Sequence, residues 1–300
     1  KKTPVSETNN LFAMATASKA KADIVKRKRQ FLAFSDSRSE AAFYACYMTS
    51  FYQEFLRRRG IWQVIEKNRD NISKQPWEIS TLVQELASYF DSNRTFADPG
   101  DVGTENLTAT SRRQAWIAVL NEMVNARRST SLVSLGILDF VYKGNSEEMM
   151  VAVGNKYGQA ASDVNALFNL LVMDIVYNGA LEGEGLTLTN DEREYIYYAA
   201  QPRRFKILKE SNDDRKKNYL SGWITRVKEN GKPFKNGRIN RLMKMMDITE
   251  DEARELLKNY WEAVLVNGQY GLTSGGDGEY FFSTDKFMVV VGDGNRPVYQ

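Results

Sequence analysis

Residues 29–38 read Arg-Gln-Phe-Leu-Ala-Phe-Ser-Asp-Ser-Arg, an apolar run that stops at a Ser-Asp-Ser turn with a long amphipathic pattern directly behind it. A strand that feeds straight into a helix commits this part of the chain to an α/β arrangement. Ser37 and Glu40 have the Ser-x-x-Glu spacing of a capping box. Gly60, after Arg57-Arg58-Arg59, is expected to end the helix as its C′ residue. Between these ends Ala41, Ala42, Ala45, Met48, Tyr52 and Leu56 fall on one helical face. At such a junction the free backbone N–H groups and the helix dipole point the same way, which is an anion-binding geometry. An ordinary strand-to-helix turn explains the same residues without any ligand.

Among the 300 residues there is no histidine and one cysteine, Cys46. Ser-His-Asp and Cys-His catalysis, histidine-ligated zinc and an internal disulfide are thereby excluded. A lone thiol mid-helix beside core positions is expected to be inert and fits a reducing, cytoplasmic setting. The polar N-terminus has no apolar signal-peptide core, and no apolar run approaches the roughly 18 residues of a membrane helix. The richest run, Leu167 to Tyr177, is broken by Asn169 and Asp174. A membrane partner is not expected.

Net charge is only +3, yet it is unevenly spread. From Arg203 to Lys244 there are 14 Lys/Arg against 4 Asp/Glu, a local +10, so the remainder sums to −7. A second cluster, Lys19 to Arg29, has 6 positive residues against Asp23. Such asymmetry points to a polyanionic partner.

Along the chain, residues 1–60 form a basic N-terminal segment and the strand-turn-helix piece. Residues 61–202 read as a multi-helix region. Helices are expected on both sides of Pro76-Trp77, then a loop over 94–110 and a helix over 111–128. A short helical element follows at 130–136, then Ile137 to Tyr142 as a strand or a buried helix. Further helices are expected near 145–153 and 159–181, with another opened by Thr189-Asn190. Residues 203–236 form a basic, aromatic linker. Residues 237–300 run helix, turn, helix, hairpin, strand, the order of a winged helix, with Thr249 and Glu252 as a second capping box. The expected class is mainly α.

Several of these segments resemble parts of large bacterial superfamily-2 (DEAD/DEAH-type) DNA helicases. The run Gln30 to Arg38 with Glu40-Ala41-Ala42 resembles motif IV, which opens the second RecA-like lobe of that family. Ser131 to Leu138 is similar to a further family segment, as are Trp223 and the Gly237-Arg238-Ile239-Asn240-Arg241 stretch. Arg296 to Gln300 stops where the family's cysteine cluster would begin. The resemblance implies a segment holding motif IV, a helical insertion and a winged-helix-like module. It also implies an ATP-driven helicase or translocase, with ATP and Mg bound elsewhere in the parent protein, in genome maintenance or antiviral defence. Its remaining lobes and nucleic acid, DNA rather than RNA, would be the partners. Ser35, Ser37 and Arg38 would then contact the tracking strand; Asp36, an awkward neighbour for phosphate, is expected to orient Arg38 or to cap locally.

The basic segment supports the same expectation from its own chemistry. Lys228, Lys232, Lys235, Arg238, Arg241 and Lys244 recur every three or four residues, with Phe205, Tyr219, Trp223 and Phe234 among them. Cations that follow phosphates and rings that stack bases are the parts of a single-strand groove. A solvated basic face with Trp223 in the core is the competing reading. The second winged-helix helix carries Glu250, Asp251, Glu252, Glu255 and Glu262, which would repel phosphate, so a packing role is expected for it. Two Asp-Glu pairs, Asp191-Glu192 and Asp251-Glu252, imitate a Walker B box but lack the preceding strand and open helices instead. No G-x-x-x-x-G-K-[ST] occurs, so this segment is expected to hold no cofactor and to hydrolyse no ATP. The alternative is a non-enzymatic helical and winged-helix interaction module.

Overall fold

The computed structural model describes residues 38–97, 104–183, 185–197, 208–209, 223, 236–275 and 279–292. The chain divides into two compact units, 1–52 and 53–300. In the first, the described residues are the opening turns of helix α1 (Arg38–Lys67), whose remainder belongs to the second. The motif IV strand and its Ser-Asp-Ser turn lie outside the described residues.

The second unit is mainly helical, with two small sheets. After α1 come α2 (Arg69–Lys74), β1 (Trp77–Glu78), α3 (Ile79–Ser92) and α4 (Thr104–Val124). α3 buries Ile79, Leu82, Val83, Leu86 and Phe90, a spacing of three and four that turns one apolar stripe onto α4. Helix α1 does not stop at Gly60 but runs on for seven residues. A Cβ at Gly60 would collide with the Phe90 ring and stand 3.0 Å from Leu86 Cδ1, so this glycine is a point of close helix approach rather than a cap.

Strand β2 (Leu138–Tyr142) resolves the ambiguity of residues 137–142 in favour of a strand, with Leu138, Phe140 and Tyr142 buried. Residues 130–136 form successive turns rather than a helix. Helices α5 (Glu147–Tyr157) and α6 (Ala161–Tyr177) follow, then β3 (Leu181–Glu182), α7 (Asn190–Tyr197) and β4 (Leu208–Lys209). α7 opens as expected: Thr189 N–H donates to Glu192 Oε2 at 2.7 Å. Helices α8 (Gly237–Met246) and α9 (Glu250–Tyr260) are joined through Asp247, whose φ of 54° makes the tight turn. α9 carries the Thr249/Glu252 capping box and ends in one π-helical turn, Trp261–Val266.

Strands β5 (Thr273–Gly275) and β6 (Glu279–Ser283) form the antiparallel hairpin, and β7 (Phe287–Val291) completes the described chain. β7 does not extend that hairpin. It pairs with β1 and β2, as Phe140 opposite Val289 and Tyr142 opposite Phe287, while β6 pairs with β3 and β4. Residues 237–292 therefore share both sheets with strands from 61–202 instead of closing a wing of their own. The physical reason is aromatic: Tyr142, Phe282 and Phe287 meet at ring distances of 5.4–5.7 Å, all fully buried. That trio joins β2, β6 and β7 across the two sheets. No single described helix is long and apolar enough to cross a membrane.

Candidate nucleic-acid interface

Of the residues singled out above, Ser35, Ser37, Lys228, Lys232 and Lys235 lie outside the described residues, and Arg38 is described only as the first residue of α1. Trp223, Arg238, Arg241 and Lys244 are described, and they divide into two kinds.

Trp223 is 1% exposed and its indole N–H donates to Leu257 O at 3.0 Å. The Trp261 ring lies 5.9 Å away and Asn236 Nδ2 donates to the Trp223 carbonyl at 2.9 Å. A ring closed in on these sides cannot stack a base, so the expected platform is a core residue. Its indole is drawn in because α9 offers a carbonyl that satisfies the buried N–H.

Arg238 is corrected in the same way. Its backbone N–H donates to Asn236 Oδ1 at 2.9 Å, which caps the start of α8. The guanidinium lies 4.7 Å over the Trp223 ring and pairs with Asp174 at 3.2 Å. Burial pulls its pKa below the ordinary arginine value and Asp174 opposes that, while Arg241 and Arg127 push it further down. Arg238 thus anchors α8 to α6, its guanidinium already occupied by Asp174. Arg241 is half-buried and Lys244 exposed, on steps of three along the same helix.

The structure adds two residues to this group. Arg127, just beyond α4, stacks 4.7 Å over Tyr177 and pairs with Asp174 Oδ1. Asp174 therefore receives Arg127 on one carboxylate oxygen and Arg238 on the other. A sequence signal for Asp174 existed: it interrupts the apolar run of α6, and a carboxylate there demands a cation. Asn169, the other interruption, has a different task. It accepts from Tyr142 N–H at 2.8 Å and donates to Phe140 O at 3.1 Å, which closes the edge of β2. Arg127 carried no distinguishing pattern.

The resulting cluster joins Arg127, just beyond α4, the last turns of α6 and the start of α8. Tyr177, beneath Arg127, has its phenol pushed up to about 12, first by burial and also by Asp174, with Arg127 opposing. The acidic helix α9 behaves as its composition implies: Glu250, Asp251, Glu252, Glu255 and Glu262 are all exposed, and Arg254 is paired to Glu250. Both Asp-Glu pairs open helices, and Glu192 is taken up by Arg113 as well as by the cap. Burial raises the Glu192 pKa, but Arg113 and the Thr189 hydrogen bonds hold it below the usual carboxylate range. Among the described residues no group of acidic, cysteine or histidine side chains is arranged to hold a metal. No family model, curated protein or solved structure matches the chain.

Proposed function

We propose that this chain is a segment of an ATP-dependent superfamily-2 DNA helicase or translocase whose own contribution is to bind and guide nucleic acid. In that reading residues 1–60 carry motif IV of a RecA-like lobe. Residues 61–202 are then the helical insertion, 203–236 the basic aromatic linker and 237–300 the winged-helix-like module, whose strands pair with strands of the insertion. ATP and Mg would be bound by the parent protein's remaining lobes, because no Walker sequence is present here. The observation that carries the proposal is the basic cluster in which Arg127 and Arg238 share the single carboxylate of Asp174, with half-buried Arg241 and exposed Lys244 further along α8. A surface of that charge attracts a polyanion without reading its sequence. The start of α1 at Arg38, directly behind Ser35-Asp36-Ser37, fits the motif IV resemblance.

The DNA-facing side is then α8 and not α9, whose exposed carboxylates would repel each nearby phosphate. The test is affinity for single-stranded DNA as a function of salt. Log affinity should fall steeply with log salt, and Arg241→Ala with Lys244→Ala should flatten the slope by about 0.7 for each phosphate no longer neutralised. Absence of binding at low salt would contradict the proposal and favour the non-enzymatic interaction module.

A further inference from the structure

We propose that Arg127 and Arg238 form a discrete phosphate site in which Asp174 is the built-in occupant that an incoming phosphate displaces. Two guanidiniums are held in fixed planes before any ligand arrives, Arg127 on the Tyr177 ring and Arg238 on the Trp223 ring, each at 4.7 Å. Both point at one carboxylate, and Arg241 lies near enough to Arg238 to oppose its charge. Two guanidiniums against one carboxylate leave a local charge of +1 on these three groups. Arg238 Nε is buried without a hydrogen-bond partner among the described residues, so the donor set is incomplete with Asp174 alone. The site is open on one side, because the Arg127 side chain is 57% exposed.

Planar forks of this kind bind phosphate as well as carboxylate, and a phosphate brings more acceptor oxygens than the carboxylate now between them. Asp174 keeps the arginines from repelling one another and holds the pocket in shape, with Asn178 Nδ2 donating to its carbonyl at 2.6 Å. It also competes with the ligand. The rings under the guanidiniums are already covered, so the site grips a phosphate and reads no base. That the phosphate belongs to a nucleic-acid backbone rests on the function proposed above; the anion site itself does not.

The experiment uses the full chain with two probes, inorganic tripolyphosphate followed by thermal melting at constant ionic strength, and an oligothymidylate followed by fluorescence anisotropy across salt. Tripolyphosphate should raise the Tm of the wild type, raise that of Asp174→Asn more, and leave Arg127→Ala unmoved. Arg127 is exposed, so its replacement leaves a folded protein even where Asp174→Asn does not. The oligothymidylate salt slope should drop by about 0.7 in Arg127→Ala. An equal Tm response in wild type and Arg127→Ala overturns the site. An unchanged slope in Arg127→Ala, with strong binding by the wild type, also overturns it while leaving the nucleic-acid reading intact. The expected tripolyphosphate pattern without any oligothymidylate binding supports the site and overturns the nucleic-acid reading instead.

Discussion

Trp223 stands among lysines in the sequence and among apolar rings in the fold, and its replacement separates the two roles. Trp223→Ala should cost about 3–5 kcal/mol in urea unfolding, the range for deleting a large buried aromatic, and Trp223→Phe distinctly less. A near-neutral Trp223→Ala would mean that the ring is a surface platform after all. Glu122 offers a second residue-level test. It is 1% exposed, with Oε1 accepting from Leu132 N–H at 2.5 Å, while Oε2 stands 3.6 Å from Arg58 Nε without a hydrogen bond. Burial raises its pKa, and Arg58 with the two backbone donors only partly offsets that. A raised folded-state pKa means that the native state holds the proton more tightly than the unfolded chain. This stabilisation is therefore complete below the unfolded value and is lost as pH rises through the folded one. Glu122→Gln should gain stability relative to wild type as pH rises above about 4, measured by urea midpoints. The opposite trend would show that the Arg58 pair outweighs burial. Helix-opening acids such as Glu192 and Glu252 were legible in the sequence because caps act over three residues. Trp223 and Arg238 were not, because what buries them comes from α6 and α9, far away in the chain.

Elements with local causes agree with the sequence, and those decided by packing depart from it. The capped starts of α7 and α9, the Asp247 turn and the β5–β6 hairpin each follow from a few adjacent residues. Gly60 does not: a glycine after three arginines looks like a helix end, yet its neighbour across the interface is Phe90. Gly60→Ala improves helix propensity by roughly 1 kcal/mol, while forcing a methyl into a closed contact costs typically 1–3 kcal/mol. Net destabilisation of about 1 kcal/mol is expected from thermal or urea unfolding. A stabilised Gly60→Ala would mean that α1 and α3 stand further apart than the closeness of Gly60 to Phe90 implies. The turns at 130–136 are likewise set from outside, by the Glu122 carboxylate on Leu132 and Val133 and by Ser131 and Ser134 hydroxyls on Ala126 O. Alternation alone favours neither strand nor helix for 137–142; its partner β7 lies more than a hundred residues later.

At the scale of the second unit, the last strand is the piece that ties early and late segments together. A fragment of residues 237–300 leaves β7 without β1 and β2, leaves β6 without β3, and exposes Phe282 and Phe287. Expressed alone it should show a collapsed, undispersed amide spectrum, whereas a dispersed one would establish an autonomous winged module. The mainly helical class was readable from periodicity, but the sharing of sheets was not, since strand pairing across such separations leaves no local pattern. Of the basic stretch, Arg238, Arg241 and Lys244 have described side chains: Arg238 is paired with Asp174, Arg241 is half-buried and Lys244 exposed, while the carboxylates of α9 are exposed. The most direct test of the basic cluster as a polyanion track is the salt dependence of single-stranded DNA affinity for the wild type and for the Arg241→Ala, Lys244→Ala pair. The account requires a steep fall in log affinity with log salt and a shallower line for the variant. Binding that ignores salt, or identical slopes for the two proteins, would contradict it.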